Sequence, residues 1–173
     1  MTNISIKNLT FAYPGQAALF DNANFELDTS WRLGLLGRNG RGKTTLFKIL
    51  QNKLSYTGTL NVSVPLAYFP QPLGDQTKLA LYCLQETGNF LEWELNRELK
   101  LFKISEDLLW QPFNTLSGGE QTKLMLCALF CQADHFFLLD EPTNHLDLAG
   151  RKELVAYLKQ KKQGFIITSH DRT

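Results

Sequence analysis

Gly37, Gly42, Lys43 and Thr44 stand at the spacing Gly-x-x-x-x-Gly-Lys-[Ser/Thr]. That pattern can hold phosphate. Glycines let the backbone curl until successive N–H groups point inward at anionic oxygens. Lys43 supplies a point charge for β- and γ-phosphates, and the Thr44 hydroxyl is placed for Mg²⁺. Arg38, Asn39, Gly40 and Arg41 form the curl itself, and Thr45 follows it. The helical pattern that begins at Lys43 presents its N-terminus to the same anion. A second group lies far along the chain. Four apolar residues, Phe136 to Leu139, end in Asp140, a carboxylate suited to Mg²⁺ at the end of a buried strand. Glu141 follows directly, points differently, and is placed to polarise an attacking water instead. A glycine-rich strand-to-helix turn and an acidic strand end are the plain alternatives, and each loses force once both occur in one chain.

The surrounding elements must position these groups. Residues 4–11 alternate apolar and polar, as a half-buried strand does. Tyr13-Pro14-Gly15 is a turn. Ala23, Phe25 and Leu27 alternate again and suggest a second, antiparallel strand. Residues 32–36 form a short apolar run into the loop and are expected to be a central strand. A helix is expected over 43–51, a turn at 56–58, and an alternating strand through Leu60, Val62 and Val64. Residues 66–69 are a buried strand that stops at Pro70-Gln71-Pro72. From 77 to 113 Leu, Glu and Lys replace the β-branched residues, which predicts two or three helices in a subdomain. Trp93 and Trp110 within it are expected to pack. Ser117 and Glu120 have capping-box spacing, and the helix behind them, 121–133, is apolar nearly all round. Residues 150–163 form a surface helix with Leu154, Val155 and Leu158 inward and Arg151, Lys152, Lys159, Lys161 and Lys162 on a solvated face. Residues 165–168 make a last strand before His170. Strands separated by helices imply a mostly parallel sheet covered on both faces.

A chain of 173 residues, 43% hydrophobic and 20% charged, is long enough for a single substantial core. Its formal net charge of +1 gives no electrostatic case for direct nucleic-acid binding by this segment. Cys83, Cys127 and Cys131 are odd in number and lie in apolar surroundings. They are expected to be reduced core residues of a cytoplasmic protein. Zinc binding is disfavoured because no Cys-x-x-Cys pair exists. No apolar run approaches the roughly 20 residues needed to span a bilayer, and the N-terminus lacks a signal-peptide shape. No membrane insertion is expected.

Taken together, the motifs resemble those of ATP-binding cassette (ABC) proteins. Leu116 to Gln121 is similar to the family's signature sequence, and Gln71 to its Q-loop. Residues 140–147 match its Walker B to D-loop segment, His170 its H-loop, and Tyr13 the aromatic that stacks adenine. They occur in the family's order, from Ile4 to Arg172. The wording Glu141-Pro-Thr-Asn-His-Leu-Asp147 resembles the ABC-F branch, soluble proteins with two cassettes in one chain that act on the ribosome. One loop and one signature are present here, so the chain looks like a first cassette cut from a longer one and truncated at its C-terminus. The short span from Gln71 to Leu116 is more like the antibiotic-resistance branch, which protects ribosomes.

The resemblance implies one ABC ATPase domain over 1–173. Residues 1–30 and 56–69 would contribute its antiparallel and core strands, and 73–133 the helical subdomain with the signature helix. The implied ligands are ATP and Mg²⁺. Tyr13 would stack adenine and residues 37–45 would cradle the phosphates. Thr44, Gln71 and Asp140 would organise Mg²⁺. Glu141 would act on water, and His170 would contact the γ-phosphate and steady Glu141. Ser117, Gly118, Gly119 and Glu120 would meet ATP held by a second cassette, with Asn144 and Asp147 communicating across that interface. His145 is expected at an interface or in packing, not on a metal. The ribosome would be met through regions outside this segment. An isolated segment would hydrolyse ATP slowly, because its site lacks an opposing signature. The ATPase subunit of a membrane transporter shares all of this chemistry and stays open as the alternative. A DNA-maintenance ATPase would need a long coiled coil that the sequence lacks, and the signature disfavours a plain GTPase or kinase.

Overall fold

Alternation in β1 (Asn3–Phe11) buries Ile4, Ile6 and Leu9 on one face. In the computed structural model, which describes residues 3–38, 40 and 42–170, this strand is the middle of an antiparallel sheet. β2 (Phe20–Asp28) pairs on one side, setting Ile6 against Phe25. β4 (Thr57–Val62) pairs on the other, setting Ile6 against Leu60. The register of β1 slips between Lys7 and Thr10, and Asn8 there takes a left-handed φ of 53°. This bulge explains a departure from expectation. Gly58 is not in a turn but inside β4, with φ of 112°. A Cβ at that position would lie 2.5 Å from the Asn8 carbonyl oxygen and 2.6 Å from that of Lys7. Only glycine allows so close an approach of two backbones.

The second sheet carries the loop. β3 (Arg32–Leu36) and β6 (Phe136–Leu139) both run parallel to β7 (Phe165–Ser169), which lies between them. The fold is therefore mixed α/β, with one antiparallel and one parallel sheet. β6 is buried at every residue. β3 differs from the central strand expected of it. It has β7 on one side only among the described strands, and Leu36 is 61% exposed. An apolar run specifies which faces can be covered, not which strand lies alongside, so the sequence could not place it laterally. After the loop, α1 (Lys43–Leu50) buries Phe47, Ile49 and Leu50.

Two compact units make up the chain. The first holds residues up to Leu66, Asp134–Asp140 and residues from Gln163 onward. The second is Ala67–Ala133 with Glu141–Lys162. β5 (Leu66–Phe69) leads from one into the other along the chain. The second unit is helical: α2 (Ala80–Gln85), α3 (Glu92–Phe102), two short 3₁₀ segments (Glu106–Trp110 and Phe113–Thr115), α4 (Gly118–Phe130) and α5 (Leu148–Lys159). Glu94 opens α3 by accepting the Leu91 N–H at 2.7 Å.

Four side chains in this unit depart from the sequence reading. Trp93 and Trp110 are 59% and 52% exposed, so they are not buried packing residues. The Arg97 guanidinium lies 5.6 Å from the centre of the Trp93 ring. Val155 is exposed, because the buried stripe of α5 runs through Gly150, Leu154, Tyr157 and Leu158. Lys161 is buried, not solvated, because Glu98 of α3 receives its ammonium group. The three cysteines are free and buried, and burial pushes the Cys131 thiol up to about 12.

Candidate functional site

In the first unit the loop turns on Gly42, whose φ of 89° forms the N-cap of α1. The first turn of a helix has N–H groups with no carbonyl partner inside the helix, and here they open onto the loop. Lys43 reaches back along it: its ammonium donates to the Gly37 carbonyl and, at 3.3 Å, to that of Ser169 at the end of β7. Thr44 donates its hydroxyl to Asp140 Oδ2 at 2.8 Å. Thr168 of β7 donates to the other oxygen, Oδ1, also at 2.8 Å. Parallel pairing of β6 with β7 brings Asp140 beside Thr168, and the loop brings Thr44 to the same carboxylate. Tyr13 Oη and Thr45 Oγ1 are 2.9 Å apart, and the Tyr13 ring meets Phe11 edge-on at 4.9 Å. Arg38 and Gly40 are exposed beside the loop, and His170 is exposed directly after β7. Asn39 and Arg41 lie outside the described residues, as does Asp171.

The second unit gathers the remaining candidates. The Ser117 side chain accepts the Glu120 N–H at 3.2 Å, and Glu120 Oε2 accepts the Ser117 N–H at 2.8 Å. This reciprocal cap makes Gly118 and Gly119 the first turn of α4, three residues earlier than apolar periodicity places the helix. Asp147 caps α5 by accepting the Gly150 N–H at 2.7 Å. The two capped ends share a cavity of about 380 Å³, bounded by Ser117 to Glu120, His145 and Asp147, with Lys123 on its wall. A Cβ on Gly118 would approach His145 Cβ to 3.4 Å, so the first turn of α4 sits against this histidine. Asn144 is exposed in a turn whose N–H bonds the Glu141 carbonyl at 3.2 Å. Glu141 itself has a φ of 50°, a left-handed conformation uncommon outside glycine.

Two observations bear on metal and phosphate. The hydroxyl of Thr44 and the carboxylate of Asp140 form an all-oxygen donor set, which suits a hard cation such as Mg²⁺. In the second unit, Gln71 donates its Nε2 to the Met125 carbonyl at 2.9 Å, which fixes the amide. Its Oε1 is buried with no hydrogen-bond partner among the described residues. An acceptor left over in this way can take a metal or a metal-bound water. The Thr44–Asp140 pair of the first unit therefore fits the cation expected of it.

Sequence reasoning missed two contributors. Thr168 looked like an ordinary strand residue, and only the pairing of β6 with β7 reveals its bond to Asp140. Lys123 lies one turn into α4, where a lysine at helical spacing from Gly119 was the available signal.

A glycine-rich loop at a helix N-terminus, with a carboxylate from a parallel strand of the same sheet, one strand removed, defines a phosphate-binding-loop nucleotide domain. The sequence model of the family described as "ABC transporter" matches residues 20–144, and the chain belongs to that family of ATP-binding cassettes. Its relatives include "ABC transporter F family member 3" of Arabidopsis thaliana, 34% identical over 175 residues, and "Protein GCN20" of Saccharomyces cerevisiae, 31% identical over 182 residues. Each alignment takes in 97% of this chain but 24% and 23% of the relative, so the chain spans about a quarter of the curated relatives it matches. The fold is shared with a bacterial Atm1-family ABC exporter solved with ATP bound. That match has a TM-score of 0.80 and 16% identity, and it covers 98% of this chain and 34% of the exporter chain. Among the described residues, no helix is long and apolar enough to cross a membrane.

Proposed function

We propose that this chain is an ATP-binding and ATP-hydrolysing cassette of a two-cassette ABC-F factor that acts on the ribosome. The observation that carries the ATP reading is the Thr44–Asp140 bond, which holds the hydroxyl of the loop against the carboxylate of β6. The F-branch reading rests on the wording of residues 141–147 and on the Arabidopsis relative's name.

In this reading the chain's own groups divide the work. Tyr13 stacks the adenine. Residues 37–45 cradle the phosphates with backbone N–H groups and the Lys43 ammonium. Thr44, Asp140 and Gln71 would hold Mg²⁺, which when bound neutralises charge on the phosphate oxygens. Glu141 orients or deprotonates the attacking water, and His170 contacts the γ-phosphate and steadies Glu141. Ser117 to Glu120 recognise the phosphate of ATP held by a second cassette, because the first turn of α4 offers the Gly118 and Gly119 N–H groups to an anion. Asn144 and Asp147 lie at that interface. Two cassettes then close when ATP bridges them, and they open once the bridging phosphate is gone. The equilibrium shifts by the difference in binding alone. Protection of the ribosome against antibiotics is the narrower role we assign, on the short helical subdomain.

The experiment is co-sedimentation of the complete Glu141→Gln protein with ribosomes. Retention that needs ATP and is lost with ADP is the expected result. Equal sedimentation in both nucleotides, or in neither, overturns the ribosomal reading. Co-purification with a membrane protein instead would favour the transporter alternative.

A further inference from the structure

Glu98 is 3% exposed, Lys161 6% and Tyr157 not at all, yet all three are polar. Glu98 projects from α3. Its Oε2 accepts both the Tyr157 hydroxyl and the Lys161 ammonium. Tyr157 lies on α5, and Lys161 lies just past its end. The Tyr157 ring stacks on Phe102 of α3 at 4.3 Å with an interplanar angle of 6°, and it meets Phe130 of α4 edge-on at 5.6 Å. The Lys161 ammonium is 4.4 Å from the Tyr157 ring centre and 5.3 Å from that of Phe130. One carboxylate thus ties the far end of α5 to α3, and the rings it holds in place abut the far end of α4.

The near ends of the same two helices are the capped turns at Ser117 and Asp147, which share the cavity described above. Helices of 13 and 12 residues place those turns about 15–20 Å from the buried cluster. A rigid helix transmits a constraint at one end to the other. Between the two ends the half-buried Lys123 of α4 pairs with the exposed Glu153 of α5.

We infer that Glu98, Tyr157 and Lys161 form a positioning cluster that sets α4 against α5, so that the Ser117 and Asp147 turns present one prearranged recognition surface. A buried ion pair is a weak source of net stability, because desolvation offsets its attraction. Its attested use is to fix one arrangement among several apolar packings. A shifted register of α5 on α3 would bury an unpaired charge, whereas an apolar cluster would tolerate the slip. The inference rests on the proposed role of Ser117 to Glu120 and Asp147, but its test does not need ATP.

The test compares Glu98→Gln, Lys161→Met and the double variant by urea unfolding and by amide hydrogen exchange in the nucleotide-free chain. Glu98→Gln leaves the buried Lys161 ammonium without its carboxylate, and Lys161→Met leaves Glu98 with the Tyr157 hydroxyl and the more distant Arg97, 3.8 Å from Oε1, so each is expected to lower the unfolding midpoint. The double change removes both and recovers most of that loss. The decisive readout is exchange at Glu120 and Gly150, whose N–H groups close the two caps. In the double variant these amides are expected to exchange at least about tenfold faster than in the native chain, although overall stability has returned. Native exchange rates there in the stable double variant would overturn the inference and leave the cluster as local packing. Should the charged-pair variants not fold, Tyr157→Phe keeps the ring and removes one bond to Glu98. Faster exchange at the two caps supports the cluster, and unchanged exchange overturns it. Loss of ATP binding by the native chain would instead count against the functional reading, leaving the exchange result to stand by itself.

Discussion

Thr168 holds Asp140 from the side opposite Thr44, with one hydroxyl on each carboxylate oxygen at 2.8 Å. Asp140 is thereby fixed before any ligand arrives. Both ends of the Thr168 bond are buried. Thr168→Val is expected to cost about 1.5–3 kcal/mol, the range for a hydrogen bond to a charged group, as measured by urea unfolding. Asp140→Asn is expected to fold but to bind ATP equally with and without Mg²⁺ by titration calorimetry. A persistent Mg²⁺ dependence would place the metal elsewhere.

Lys43 is held by two backbone carbonyls, those of Gly37 and Ser169. Lys43→Ala is expected to weaken ATP binding at least about tenfold, since one point charge on the phosphates is removed. Calorimetry with the isolated chain measures it. AMP, which lacks the β- and γ-phosphates, should bind the two proteins alike.

Glu141→Gln is expected to leave ATP affinity near native and to reduce turnover by about 10²–10⁴-fold in the paired cassettes. Phosphate release measures the rate, and nucleotide retention measures the trapped closed state. Normal turnover would show that Glu141 is not the group that acts on water.

Gly58→Ala is expected to destabilise the antiparallel sheet by about 1–3 kcal/mol. The φ of 112° penalises any side chain, and the Asn8 carbonyl oxygen stands 2.5 Å from the new methyl group. A lowered urea midpoint with unchanged ATP affinity is the signature.

Alkaline pH should weaken the second unit. Burial raises the Cys131 thiol from 9.0 to about 12 and holds Cys127 and Tyr157 well above their ordinary values. Each group is protonated in the fold and loses its proton more readily when unfolded. Their contribution is therefore complete below about pH 9 and is lost as pH rises toward 12. The urea midpoint followed from pH 8 to 11 should be level and then fall. Substitution of both cysteines by alanine should blunt that fall.

The candidate site was legible where its chemistry lies in one contiguous window. The Gly37–Thr44 spacing, the Ser117–Glu120 box and the apolar run into Asp140 each declare themselves within a few residues. What stayed hidden depends on pairing across the chain. Lys161 shares a charge pattern with its solvated neighbours, and only Glu98, 63 positions away, makes it a buried group. Gly58 looks like a turn until the bulge at Asn8 is opposite it. Val155 and Leu154 are equally apolar, and the rotation of α5 on its neighbours decides which one is covered. β3 has the composition of an inner strand, and composition does not record lateral order.

The left-handed backbone at Glu141 has a consequence for how this position can vary. Glycine takes that conformation without strain, so Glu141→Gly is expected to keep the fold, read from the urea midpoint, while removing the carboxylate. The backbone conformation suits glycine, and the proposed role suits a carboxylate. On the role proposed for Glu141, a library screened by heat resistance should tolerate that substitution while a library screened by turnover discards it.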